Sequence, residues 1–231
     1  MGEEVQVDWR TRVAAERRER TRAKLLECAL LVFSRKGPQA AVIDDVLALA
    51  GMSRGSFYNY FRTNEELLVA VAGEIGNELL RIIDPVVQPH EDPAARIACG
   101  ARLLMQTVHA YPLLGAFLAR LPMPDAESQL IGIAFLARDL EQGLAQRRFM
   151  AMPARVALDF VVGVLFSAAR SLSRGTQPAS YPDDMALAML LGLGLPQEEA
   201  RRVAALPLPA IAIEDSSIIG AARHYPAAAP D

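Results

Sequence analysis

The chain has 231 residues, 52% of them apolar, and only two cysteines, which allows a sizeable core and excludes a disordered chain, a disulfide scaffold and a four-cysteine zinc site. A net charge of −3 argues on average against a polyanionic partner, but Arg10 to Arg62 holds eleven basic and five acidic side chains, a local +6 that leaves −9 for the remainder. Such asymmetry suggests a polyanion-facing module joined to a body of another kind.

Residues 1–19 form a basic arm, polar and Arg-rich, without the apolar stretch of a secretory signal. The uncharged apolar run Phe160 to Ala169, like every other in the chain, falls well short of the ~20 residues a bilayer span needs. The expectation is a cytoplasmic protein with no membrane partner, in which Cys28 and Cys99 are reduced core residues.

Helical periodicity runs almost throughout. Leu26, Ala29, Leu30 and Phe33 mark one face of a first helix that ends near Gly37-Pro38. Ile43, Val46, Leu47 and Ala50 repeat the spacing over two turns, and Gly51 stops them. Ser53 is a good N-cap for a second short helix running to about Phe61. Thr63 and Glu66 have the spacing of a capping box, opening a long fourth helix that should end before Pro85. Asp92-Pro93 opens a helix to about Tyr111, and Pro112 starts a short one. Further helices are expected over Asp125–Arg148, from Pro153 to Ser173, and over Tyr181–Leu193 and Pro196–Leu206. The tail over 207–231 has no clear period and reads as an irregular extension, although Ile211, Ile213, Ile218 and Ile219 could pack onto the body. The fold class is all-α.

Val42 to Phe61 describes a helix-turn-helix: a short amphipathic helix, a glycine turn and a second short helix of unlike composition. Ile43, Val46, Leu47, Ala50, Phe57 and Phe61 would bury the pair, leaving Ser53, Arg54, Ser56, Tyr58, Asn59 and Tyr60 outward. Those hydroxyl, amide and guanidinium groups are the types that bond phosphates and base edges. Gly55, with no side chain, allows a close approach.

The string Ala50-Gly51-Met52-Ser53-Arg54-Gly55-Ser56-Phe57-Tyr58-Asn59-Tyr60-Phe61, followed by Glu65-Glu66-Leu67, resembles the DNA-binding domain of TetR-family transcriptional regulators. The match spans roughly Arg22 to Leu68; beyond it only helix count and spacing agree. The resemblance implies a helix-turn-helix domain over 20–66 (motif 42–61) and a ligand-binding and dimerisation domain over 67–206. It also implies a homodimer on a palindromic double-stranded operator. Ser53 would cap the recognition helix, Arg54 and Ser56 would face bases, and Tyr58 and Tyr60 would mostly hold phosphates. Asn59 would meet a base or a phosphate. Two departures stand out: Val42 replaces a capping Thr, and Asn64 replaces a Lys that meets phosphate, a role Arg62 or the arm could take. The arm itself could follow the DNA backbone, place an Arg in the minor groove, or be a solvated face of Glu–Arg pairs.

Candidate ligand-binding residues are fewer in kind. Arg102, Met105, Gln106 and His109 form a stripe that could project into an effector pocket or face solvent. Phe117, Phe135 and Phe166 could line a cavity or fill core. Arg170 interrupts the apolar helix Arg155–Leu172, where buried charge is usually paired or wet. The apolar helices Arg155–Leu172 and Asp184–Leu193 need a partner, which a two-fold interface or burial within one subunit would supply.

Rival chemistry is weak. Gly51-Met52-Ser53-Arg54-Gly55 fits the G-x-S-x-G of a serine hydrolase, but that elbow requires a preceding strand and here the approach is helical. His90, His109 and His224 are too scattered for a metal site. The expectation is a regulator and not an enzyme, with no cofactor: a repressor released by a small, partly apolar effector. A helical protein-interaction module is the alternative.

Overall fold

The structure, a computed structural model, describes residues 2–38, 42–122, 131–221 and 223. Among them the ordered elements are all helices, and no strand occurs. The chain divides into two compact units, Met1–Val71 and Ala72–Asp231.

The first unit contains α1 (Gly2–Lys36), α2 (Ile43–Ala50), α3 (Arg54–Tyr58) and the start of α4 (Asn64–Val87). The expected face of α1 is buried, with Leu26, Ala29, Leu30 and Phe33 nearly inaccessible. α1 ends because Gly37 takes a left-handed φ of 77° while its N–H closes on the Phe33 carbonyl at 2.9 Å. Gly51 ends α2 the same way, at φ 66°. Val42 occupies the N-cap of α2 without a side-chain hydrogen bond and is fully buried instead. α3 is shorter than the reading to Phe61: it closes at Tyr58, with the amides of Tyr60 and Phe61 both turned to the Phe57 carbonyl at 2.8 and 3.1 Å.

The Thr63 hydroxyl accepts the Glu66 N–H at 3.1 Å, but the Glu66 carboxylate accepts from Arg62 N–H at 2.7 Å, one residue earlier than a strict box requires. α4 does not stop before Pro85. The proline lies in its last turn, and the Gln88 N–H reaches the Asp84 carbonyl at 3.0 Å beyond it. Val87 holds that turn down by packing with Cys99 and Leu103.

The second unit is arranged about α5 (Pro93–Ala110), which packs against α6 (Pro112–Arg120), α7 (Ile131–Ala145), α8 (Ala154–Leu172), α9 (Tyr181–Gly192) and α10 (Gln197–Ala204). Asp92 caps α5 through the Ala94 N–H at 2.9 Å and also grips Arg148 with both carboxylate oxygens, each at 2.8 Å. The Asp125–Leu130 part of the expected seventh helix lies outside the described residues, as does His224. Both cysteines are buried and free.

The tail is not merely an irregular extension. Leu208 and Ile211 pack against the Val87–Cys99–Leu103 cluster, and a short α11 (Ile218–Ala221) follows with Ile219 fully buried. Buried Glu78 on α4 is the reason: its carboxylate accepts the Ile219 N–H at 3.1 Å and the Ser217 hydroxyl. Burial pushes the Glu78 carboxyl above its ordinary range, and these two hydrogen bonds pull partly against that shift.

Arg96 and Asp139 meet at 2.9 Å with side chains only 6% and 8% exposed, and Arg96 also donates to the His90 and Glu91 carbonyls and to Gln142. Removing one partner strands a charge out of water. Arg96→Met is therefore expected to destabilise the chain by about 3 kcal/mol, since Asp139 keeps only Arg138; the midpoint of urea unfolding checks it.

Candidate nucleic-acid interface

α3 has five residues and cannot hold its shape alone. Its anchor is Phe57, fully buried, with the Phe61 ring 6.0 Å away and also buried. Ser53 fixes its start: the backbone is extended there and the side chain accepts the Ser56 N–H at 3.2 Å. With Phe57 turned inward, the remaining positions turn out. Ser53, Arg54, Gly55, Tyr58, Asn59 and Arg62 are exposed, and Ser56 and Tyr60 half-exposed. The structure thus brings all eight expected DNA-facing residues to solvent on α3 and the turn after it. Ser53 follows a helix, and its hydroxyl oxygen lies 3.0 Å from that of Ser56, so the strand-borne elbow of a hydrolase is absent among the described residues.

The arm is helical. From Thr11 to Arg20 every residue of α1 is exposed. Trp9, Arg17, Arg18 and Lys24 border an open groove whose other wall is Gly51, Met52, Ser56, Asn59 and Tyr60. Arg18 lies over the Tyr60 ring at 5.9 Å and Arg22 over the Phe61 ring at 5.9 Å. Cations thereby stand beside the outward face of α3. The structure also shows what the sequence reading missed: Arg54 does not point free into solvent. Its Nε and Nη2 donate to the two carboxylate oxygens of Asp44 on α2, at 3.0 and 2.6 Å. Asn64 is turned inward, its amide donating to the Pro38 carbonyl at 2.9 Å.

The second unit contains a cavity of about 230 Å³ lined by α4, α5, α6, α7, α8 and α9. Among the described lining residues Asp84 alone is ionisable, and Arg138 holds it at 3.2 Å. Phe117, Phe135 and Phe166 line this cavity as expected. The other five candidates do not. Arg102 is buried and clamps Asp183 at 2.6 Å and the Leu206 carbonyl at 2.5 Å. Met105 is core, and Gln106, His109 and Arg170 are exposed. The stripe failed because α5 is enclosed by helices on most sides, so its polar positions became clamps or surface. Leu79, Leu80, Ile83 and Leu165 line the cavity instead; the unbroken apolar pairs on α4 were the available signal.

Residues 25–71 match the family model for bacterial regulatory proteins of the tetR family, and residues 92–206 match that for the tetracyclin repressor-like C-terminal domain. The chain belongs to the TetR family. Among similar proteins, the uncharacterised HTH-type transcriptional regulator YfiR of Bacillus subtilis is 36% identical over 73 residues, 32% of this chain and 36% of that protein. The HTH-type transcriptional repressor Rv3405c of Mycobacterium tuberculosis is 32% identical over 79 residues, 32% of this chain and 42% of that protein. The matched stretch thus spans well under half the length of either relative. The crystal structure of RolR in complex with its ligand resorcinol is similar over 86% of this chain and 100% of that chain, with TM-score 0.65 and 28% identity.

The Ser53 side chain caps the start of α3. Ser53→Ala is expected to cost about 1 kcal/mol, and Ser53→Asn much less. The midpoints of urea unfolding for the two variants check this.

Proposed function

We propose that this chain is a sequence-specific DNA-binding transcriptional regulator acting in the cytoplasm. In this reading it is a homodimeric repressor on a palindromic operator, released by a small, partly apolar effector. The observation that carries the proposal is the outward set on α3, where hydroxyl, amide and guanidinium groups surround Gly55 beside a cationic helix. Two such motifs in a dimer would enter major grooves about one helical turn or more apart.

Family membership supports this, as does the naming of its relative Rv3405c as a transcriptional repressor. RolR was crystallised with resorcinol, and the apolar cavity here offers space for a small molecule. α4 runs unbroken from Asn64 to Val87, so a ligand seated against Leu79, Leu80 and Ile83 acts on the helix that starts at the motif's end. If the ligand favours the state that binds DNA less well, operator must weaken ligand binding by the same factor.

Dimerisation draws support from α8 and α9. Val156, Phe160 and Leu191 are 52%, 36% and 42% exposed, an apolar face in need of cover. A Cβ at Gly192 would overlap the Phe160 ring, so the glycine lets α8 and α9 close up beneath that face. Light scattering at micromolar concentration is expected to give the mass of two chains, and Leu191→Arg the mass of one. A single-chain mass for the wild type would overturn the dimer.

The DNA reading is tested by fluorescence anisotropy with duplexes selected from a random library. The wild type should bind selected duplex far more tightly than random duplex. Arg54→Ala should cost ~1–3 kcal/mol on the selected duplex if its guanidinium reads a guanine, and little on random DNA. Failure to select any duplex would favour a protein-interaction module.

A further inference from the structure

The pair formed by Asp44 and Arg54 has a geometry that stability does not explain. Both side chains are 67% exposed, and an exposed ion pair contributes little to folding. Asp44 also stands on the face proposed to meet DNA, where an isolated carboxylate repels phosphate. Its neighbour Asp45 is committed elsewhere, to Lys36 of α1 at 2.7 Å, so the two acidic residues of the first turn of α2 serve different partners.

The contact with Arg54 is side-on. Nε donates to Oδ1 at 3.0 Å and Nη2 to Oδ2 at 2.6 Å. Nε carries one hydrogen and each Nη carries two, so this arrangement uses the hydrogens on one edge of the planar guanidinium. It leaves both hydrogens of Nη1 and the second of Nη2. The free Nη1–Nη2 edge presents two parallel donors, the fork that meets guanine O6 and N7 in a major groove. Holding the plane from behind removes rotamer freedom that an unsupported arginine would lose on binding.

We propose that Asp44 is a positioning residue for base recognition: it braces Arg54 from α2 so that the free edge of the guanidinium selects guanine. This rests on the reading of the chain as a sequence-specific DNA binder, and it adds a residue outside the recognition helix to the specificity of the site. The carboxylate also neutralises Arg54, so the pair contributes selectivity and not net attraction to the phosphate backbone.

The test uses the full chain and a duplex selected by the wild type, together with its single-base variants and a random duplex. Wild type and Arg54→Ala locate the position that Arg54 reads. At that position Asp44→Ala should lower the preference for guanine by about 5-fold or more, within the range a bidentate contact supplies. Asp44→Glu should restore part of the preference. Discrimination at all other positions should be unchanged, and Asp44→Ala should bind random duplex as well as or better than the wild type. Because the readout is a ratio between duplexes, the general gain from deleting a negative charge cancels.

Unchanged preference in Asp44→Ala, or equal tightening on every duplex, would overturn the proposal and make Asp44 a simple counter-charge. Equal losses on every duplex for Arg54→Ala would instead show a phosphate contact, removing the DNA-reading role of Arg54 and this inference together. Relaxed selectivity in Arg54→Ala without any in Asp44→Ala would defeat the brace alone.

Discussion

A helix of five residues has no stability of its own, so what α3 presents depends on the burial of Phe57. That side chain is fully enclosed, and its position sets which way every neighbour points. With Phe57 inward, Arg54, Tyr58 and Asn59 turn outward, and Ser53 is left at the cap. The apolar anchor and the polar outward surface are two consequences of one register. A change that loosened Phe57 would lose the surface without touching any residue on it.

Charge placement follows the same division. The positive excess over Arg10–Arg62 is carried largely by a helix, α1, whose Thr11–Arg20 stretch is exposed and whose Arg17, Arg18 and Lys24 border the α3 face. In the second unit several arginines are drawn into contacts between elements. Arg96 with Asp139, Arg148 with Asp92 and Glu199, and Arg102 with Asp183 tie helix to helix and loop. The Arg148 guanidinium is held well above its usual range, first by its hydrogen bonds with Asp92, against the cost of partial burial. None of these pairs lines the cavity of the same unit, where Asp84 alone is ionisable among the described lining residues.

The helices were legible because their punctuation is local. Gly37 and Gly51 take left-handed conformations, Ser53 and Asp92 cap, and Pro93 and Pro112 open helices; each signal lies within four residues of its effect. The outward set on α3 was legible for the same reason. What escaped depended on partners distant in sequence. Asp44 and Arg54 are ten residues apart across a turn, Arg102 finds a carbonyl 104 residues away, and Glu78 recruits a tail 139 residues on. A periodic stripe says which side of a helix is polar, but not whether that side meets solvent, a clamp or a cavity. For this reason three aromatic candidates reached the cavity while the polar stripe on α5 did not.

Two identical motifs reading one duplex, as proposed, would leave a two-fold mark on the DNA. The direct measurement is a chemical footprint of the full-length chain on a selected duplex, on both strands. It should show two equivalent protected patches on one face of the DNA, related by a two-fold axis and about one helical turn or more apart. A single patch, or uniform protection irrespective of sequence, would contradict it.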